Sequence, residues 1–301
     1  MKKLLIICGP TAVGKSDLAL KLAKILNTQI ISCDSMQVYK TMDIGTAKPD
    51  KNEQELIKYN LIDIVNPDTE FSVFDYVSLC KDTIETFNKK NMIPLIVGGT
   101  GLYIRSLLFS YDFADSNKNE KTRQKLIDEV KTYGNEYLYK KLQEVDSESA
   151  KVLHQNDTKR IIRALEIFYE TGVKKSETAS QHKSDYDYLL IGLKQDREKL
   201  YEKINLRVDL MMQNGLLTEV KKLYEKYGKN HQSMQAIGYK ELISYIEGEY
   251  SLDFAVDKIK QYSRNYAKRQ ITYFKTMPGI AWLDADDENL SKKVIDLYQN
   301  V

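Results

Sequence analysis

Residues 9–16 read GPTAVGKS, with a short apolar run before them and a helical pattern after. In the spacing G-x-x-x-x-G-K-S, Gly9 and Gly14 let the backbone bend tightly, so that several N–H groups of the stretch Gly9, Pro10, Thr11, Ala12, Val13 and Gly14 point inward at an anion, Pro10 itself having none to give. The helix that opens near Lys15 adds its positive end, Lys15 a full charge and Ser16 a hydroxyl for Mg²⁺. The motif specifies a phosphate cradle but not whose phosphates it holds. No N-K-x-D motif that would read guanine is present, and an apolar strand ending in two acidic residues, as a motor would need, is also missing.

A second stretch, IISCDSMQVYKTMDIGTAKP, puts Asp34 just past the carboxyl end of an apolar run, the edge at which open α/β sheets bind ligands. Asp34 therefore faces the phosphate site. Spacing alone leaves open whether it assists chemistry, holds Mg²⁺ through water or caps a turn.

These residues need a sheet edge to hold them, and the first hundred residues supply one. Apolar runs recur at LLIIC (4–8), IISC (30–33), LIDIV (61–65) and IPLIVGG (93–99). Helical patterns separate them: Leu18, Leu22, Ile25 and Leu26 share one face, and Ser72 with Asp75 opens SVFDYVSLCKDTIETFNKK as a capping box. Continuous apolar strands alternating with helices predict a parallel sheet covered on both faces. From about 112 to 185 the chain turns polar and helical, and YLLIGL (188–193) then reads as a return to the same sheet. The expected fold is α/β, a P-loop NTPase-like parallel sheet flanked by helices (1–111 and 186–301) with an inserted all-helical subdomain (112–185). Helical stretches follow at about 197–227, 234–247 and 251–276, and IAWLD (280–284) reads as a short last strand.

Composition narrows the class. In 301 residues, 42% hydrophobic and 29% charged, no apolar run reaches the roughly 20 residues of a membrane span. The opening MKKLLIICGP runs into a glycine turn instead of a cleavage site, so it reads as a strand and not a signal peptide. Cys8, Cys33 and Cys80 show no metal spacing and read as reduced cytoplasmic thiols. The net charge of +2 is small, yet Lys258, Lys260, Arg264, Lys268, Arg269 and Lys275 lie in a stretch without an acidic residue.

GPTAVGKS, DSMQVYKTMDIGTAKP, GGTGLYIRSLL, HQNDTKRIIRALE, QAIGYKEL and YAKRQITYFK together resemble the tRNA dimethylallyltransferase family, in that family's order and over nearly the whole chain. The resemblance implies that the loop holds the diphosphate of dimethylallyl diphosphate and that the prenyl group goes to N6 of the adenine 3′ of the anticodon. That amino group is a poor nucleophile, and Asp34 is carried over as the base that takes its proton. Arg207, otherwise a solvated helix residue, becomes a cation for the departing diphosphate, and Thr100 a hydroxyl donor near it. The expected RNA contacts are Asp34, Ser35, Met36, Gln37 and Thr100 at the channel, and Arg123, Lys159, Arg160, Ile161, Ile162 and Arg163 in the insertion. Lys268 and Arg269 complete them in the last long helix. Gln37 has the group to read an adenine edge, and Tyr262, Tyr266 and Tyr273 offer rings beside cations, although such tyrosines also serve as core.

The implied cofactor is Mg²⁺ at Ser16, and the partners are tRNA and dimethylallyl diphosphate, with no membrane. A cytoplasmic monomer is expected, with ATP binding left open. Two departures from the family stand out. HQND replaces HPND, with Asn156 or Asp157 left to cap the next helix and His154 structural; TYFK replaces a Trp- and Arg-bearing end. The lack of a Cys/His extension after Val301 matches the compact bacterial form. A P-loop small-molecule or nucleoside kinase, and a non-catalytic RNA-binding adaptor, are the competing readings.

Overall fold

The computed structural model describes residues 3–109, 120–178, 184 and 186–300. The chain forms two compact units, Met1–Leu108 with Tyr186–Val301, and Phe109–Asp185.

The larger unit begins β1 (Leu4–Cys8), α1 (Lys15–Ile25), β2 (Ile30–Ser32), α2 (Lys51–Leu56), β3 (Tyr59–Asn60), α3 (Val73–Lys89), β4 (Leu95–Gly98) and α4 (Gly101–Leu108). The smaller unit holds α5 (Glu120–Val145), interrupted at Gly134, with α6 (Ser147–Val152), α7 (Thr158–Thr171) and α8 (Lys175–Thr178). The larger unit resumes with β5 (Tyr188–Lys194), α9 (Arg197–Gln213), α10 (Leu216–Tyr227), α11 (Tyr239–Ile246), α12 (Leu252–Phe274), β6 (Ile280–Asp284) and α13 (Leu290–Asn300).

The six strands are parallel, in the order β3-β2-β4-β1-β5-β6. β-branched and leucine side chains fill β1, β4 and β5, whose two faces are both covered, so these strands show no polar alternation. Leu5, Ile7, Leu95 and Ile191 pack with Leu18 and Leu22 of α1, Leu200 and Ile204 of α9 and Val294 of α13. Leu4 and Ile6, pointing the other way, are equally buried. Register then sets the site: Cys8 lies beside Gly98, and Ser32 beside Val97. The turns after β1, β2 and β4 therefore emerge together at one edge. Gly98 is required there, because a Cβ would lie 2.0 Å from the Cys33 carbonyl oxygen.

Four details differ from the sequence reading. LIDIV is not a strand: Leu61 (φ 63°) and Asp63 (φ 54°) take left-handed conformations that break extension, leaving β3 at Tyr59–Asn60 and a single bridge from Val65 to Tyr39. Asp63 instead accepts a 2.7 Å ion pair from buried Lys48, which also reaches Asp43 at 2.6 Å. Ile25 is 60% exposed and does not join the α1 core face. The 197–227 stretch is two helices divided at Gly215 (φ 97°), and Gly238 (φ 98°) separates a short 3₁₀ turn, Ser233–Gln235, from α11.

The smaller unit has its own core, in which Leu126, Leu138 and Leu142 of α5 meet Ala150 of α6 and Ile161, Ile162 and Leu165 of α7. Asp157 occupies the N-cap position of α7, but its carboxylate pairs with Arg160 in place of a backbone N–H. Asn156 donates its N–H to His154 Nδ1 at 3.2 Å, a local structural role for that histidine.

Candidate active site

The phosphate loop spans the gap from β1 to α1. Ala12 (φ 64°) and Gly14 (φ 97°) are both left-handed, which curls the backbone around Val13 into an anion-binding concavity. Gly14 caps α1 without a side-chain bond, so first-turn N–H groups of the helix are not blocked by a capping side chain. Gly9 passes so close to β5 that a Cβ would sit 2.9 Å from Leu193 O. Lys15 Nζ donates to Gly9 O at 3.0 Å and Pro10 O at 2.7 Å, folding its charge over the loop. Desolvation and then the Arg207 charge pull its pKa down to about 8, with Asp34 opposing.

Asp34 follows β2 by two residues and is clamped by a turn: Oδ1 accepts from Met36 N–H at 2.8 Å and Gln37 N–H at 3.3 Å. It therefore caps a turn and also faces the clefts described below; the two roles coexist. Thr100 braces it from the next strand, its Oγ1 accepting from Ser35 N–H at 3.0 Å. Burial and then the Asp34 charge raise the pKa of the nearby Tyr266 phenol. Thr100 thus fixes the turn bearing Asp34. Gln37 is likewise committed within the protein: Nε2 donates to Ala47 O at 3.1 Å and Thr46 O at 3.3 Å, and Oε1 accepts from Ser32 at 3.0 Å. Its amide shapes a wall and does not present an open edge to a base.

Arg207 arrives from α9 and donates from Nη1 to the Thr11 hydroxyl at 3.2 Å. It is half-buried; desolvation lowers its pKa, while Asp17 and Asp34 favour the charge. It is no ordinary solvated helix residue.

Two clefts open at this edge. The first, about 300 Å³, is lined by the loop from Thr11 to Asp17, by Gly98 and Gly99, and by Leu206 and Leu210. The second, about 410 Å³, is lined by Ser35 and Met36, by Ile204, Val208 and Met211, and by Lys240 and Arg269. Thr11, Asp34, Thr46, Ala47, Arg207 and Tyr266 line both. A carboxylate and a guanidinium thus stand in the wall common to an anion cradle and a more apolar chamber, an arrangement suited to bringing a phosphorylated electrophile to a weak nucleophile. The Thr46–Ala47 part of that wall is held by Glu219 of α10, which accepts from Asp43, Ile44 and Gly45 N–H at 2.9, 2.8 and 3.1 Å and from Tyr239 Oη at 2.6 Å.

The structure separates the proposed RNA contacts. Arg269 lines the second cleft and lies over the Tyr266 ring at 5.7 Å; Lys268 is exposed beside it. Arg264 is turned inward to Asn205 at 2.6 Å, joining α12 to α9. In the smaller unit, Lys159 and Arg160 are exposed, whereas Ile161 and Ile162 are core residues, 0% and 6% exposed, with no surface for RNA. The helical period that puts Arg160 outside turns the isoleucines in. Arg123 and Arg163 both approach the buried Glu166 carboxylate, at 3.2 and 3.6 Å.

Sequence reasoning missed Gln270 and Glu219. The signal for Gln270 is a polar residue one turn after Tyr266, on the face that carries Ala267 and Phe274 into the core; it is 6% exposed. Lys48 and Glu219 sit in ordinary-looking charged stretches and carried no signal. Among the described residues no group of three or more His, Cys, Asp or Glu is placed to hold a metal. Ser16 on the first cleft offers one hard oxygen, which fits a Mg²⁺ held mainly by diphosphate oxygens and water.

A parallel sheet with this loop at its carboxyl edge defines a P-loop-type α/β protein that binds phosphorylated ligands. The sequence model described as IPP transferase matches residues 37–277, and the chain belongs to that family. It is 48% identical over 296 residues to the tRNA dimethylallyltransferase of Bacillus cytotoxicus, covering 98% of this chain and 94% of the relative. A tRNA dimethylallyltransferase of Acetivibrio thermocellus is 47% identical over 301 residues, covering 98% and 96%. Among solved structures, the full-length tRNA isopentenylpyrophosphate transferase of Bacillus halodurans matches with a TM-score of 0.74 and 41% identity, over 99% of this chain and 95% of that one. A eukaryotic dimethylallyltransferase acting on tRNA matches with a TM-score of 0.87 and 33% identity, over 100% and 79%.

Proposed function

We propose that the chain transfers the dimethylallyl group of dimethylallyl diphosphate to N6 of the adenine 3′ of the anticodon in tRNA, forming N6-isopentenyladenosine and releasing diphosphate. The observation that carries this reading is the shared wall: Asp34 and Arg207 line both the loop cleft and the second cleft. Family membership and relatives named as tRNA dimethylallyltransferases support the same chemistry.

In the reaction the N6 nitrogen attacks the allylic carbon, the carbon–oxygen bond breaks, its electron pair leaves on the diphosphate, and the amino proton passes to Asp34. The loop amides after Thr11, whose own N–H goes to Gln270 Oε1 at 2.9 Å, act with Lys15 and Arg207 to stabilise the charge that grows on the departing oxygen. Thr100 acts one step away, by holding the turn of Asp34. Bound Mg²⁺, with Ser16 as a protein ligand, would neutralise diphosphate charge. The target base leaves its loop to reach the second cleft, where Ser35, Met36 and Arg269 stand. Lys268, Lys159 and Arg160, with Arg123 and Arg163, are assigned to the phosphate backbone of the anticodon stem-loop. We assign the enzyme to the cytoplasm as a monomer; among the described residues no helix is long and apolar enough to cross a membrane.

One incubation tests the reading: labelled dimethylallyl diphosphate, unmodified tRNA and Mg²⁺, followed by nucleoside analysis. Labelled isopentenyladenosine is expected. Phosphorylation of a small acceptor from ATP would favour a kinase, and tRNA binding without turnover an adaptor; either result overturns the proposal.

A further inference from the structure

We propose that Gln270 of α12 is a positioning residue for prenyl transfer, fixing the phosphate loop so that Thr11 seats Arg207. The inference rests on the reading of the site given above.

A carboxamide buried in a protein is tolerated when both its ends are paired. Gln270 is 6% exposed, and both ends are used: Oε1 accepts from Thr11 N–H at 2.9 Å, and Nε2 donates to Gly99 O at 2.9 Å. Those partners lie in the turns after β1 and β4, neighbouring strands in which Cys8 is paired with Gly98. One side chain therefore ties together the two turns that line the loop cleft. The fit is close: a Cβ on Gly99 would lie 2.3 Å from Gln270 Nε2.

The bond to Thr11 matters beyond packing. Ala12, the next residue, is left-handed (φ 64°), a conformation that persists in an L-residue only when its surroundings hold it. The Thr11 N–H is held by Gln270 and the Thr11 hydroxyl receives Arg207, so the relay runs Gln270, Thr11, Arg207. One turn earlier, Tyr266 lines both clefts, so the same helix also borders the acceptor side. Loss of the Gln270 bonds frees the loop, moves Arg207 relative to the leaving group and leaves the acceptor cleft in place.

Three full-length variants test this, each assayed for kcat, for KM of both substrates and for affinity toward inorganic diphosphate and tRNA. Gln270→Leu keeps the bulk and removes both bonds; kcat is expected to fall about 10- to 100-fold, the scale of a small misplacement near the reacting atoms. Inorganic diphosphate binding should weaken several-fold and tRNA affinity should stay within about twofold. Gly99→Ala, which drives the amide away, should reproduce the kcat loss. Gln270→Glu keeps the acceptor for Thr11 but can donate to Gly99 O only when protonated. Its activity relative to wild type should therefore rise as pH falls from about 8 to 6, whereas a packing defect would leave that ratio flat. A Gln270→Leu enzyme with kcat within about twofold of wild type, a defect confined to tRNA affinity, or a flat Gln270→Glu ratio would overturn the assignment. Should Gln270→Leu fail to fold, the pH ratio of Gln270→Glu decides. Wild-type protein unable to transfer the prenyl group would refute the proposed function instead, and the diphosphate affinities of the variants would still test the relay.

Discussion

Arg207 Nη1 donates to the hydroxyl of Thr11 at 3.2 Å, joining a helix from the second half of the chain to the phosphate loop near its beginning. The contact brings a second cation beside Lys15, and the mutual repulsion is part of what holds the Lys15 pKa near 8. Two desolvated cations a short distance apart are unfavourable without an anion between them. The site is thus charged in advance for a diphosphate.

Arg207→Ala removes that cation from the leaving group, and kcat should fall about 10²- to 10³-fold, as for loss of one preorganised donor. Arg207→Lys should recover little, because an ammonium does not reproduce the planar fork that meets Thr11. Single-turnover transfer at saturating tRNA checks both; near-normal rates would return Arg207 to the ordinary surface.

Asp34→Asn preserves the shape of the turn and removes the base. Turnover should drop about 10²- to 10⁴-fold, the contribution of a positioned general base, with donor affinity nearly unchanged. Equilibrium binding of a non-reactive donor analogue, measured alongside turnover, separates the two effects. Equal losses in both would mean that Asp34 serves binding and not proton transfer.

Lys15 gives the donor a pH dependence. With a pKa lowered to about 8 by burial and Arg207, it is charged below pH 8 in the free protein and neutral above it. A bound diphosphate favours the ammonium and raises that pKa, so binding above pH 8 takes up a proton and affinity falls as pH rises. Calorimetry in buffers of different ionisation enthalpy will detect the uptake. Lys15→Arg, always charged, should bind more weakly overall yet without that slope; an unchanged slope would place the titrating group elsewhere.

The RNA interface divides by exposure. Arg160→Ala and Lys268→Ala should each weaken tRNA binding and reduce the salt slope by about 1, the signature of one lost phosphate contact. Ile161→Val, by contrast, trims the core of the smaller unit, costs about 0.5–1.5 kcal/mol of stability and leaves tRNA affinity unchanged. Filter binding at several salt concentrations, with thermal melts, distinguishes these outcomes.

Much of this was legible in the sequence for a physical reason: strands buried on both faces must be continuously apolar, and LLIIC, IPLIVGG and YLLIGL are. The loop was equally plain, because positive φ and a helix start require the glycine and lysine at fixed offsets. LIDIV misled because its four apolar residues do not form an extended run: the backbone turns left-handed at Leu61, which is buried, and again at Asp63. Ile161 and Ile162 were drawn into the RNA contacts by their neighbours in the motif, although the helical period separates them from Arg160. Gln37 looked like a base reader until Ser32, Thr46 and Ala47 were seen to occupy its amide. Gln270 showed in the sequence only as a polar residue on a core-facing stripe; its partners, Thr11 and Gly99, were not legible because the parallel register of β1 and β4 alone brings them together.

The most direct measurement is a crystal structure of the chain with a non-hydrolysable dimethylallyl diphosphate analogue and an anticodon stem-loop. The diphosphate should lie on the residue 11–16 loop against Lys15 and Arg207, with the everted adenine in the second cleft and its N6 about 3 Å from the Asp34 carboxylate. An adenine bound elsewhere, or N6 turned away from Asp34 with the diphosphate off the loop, would contradict the account.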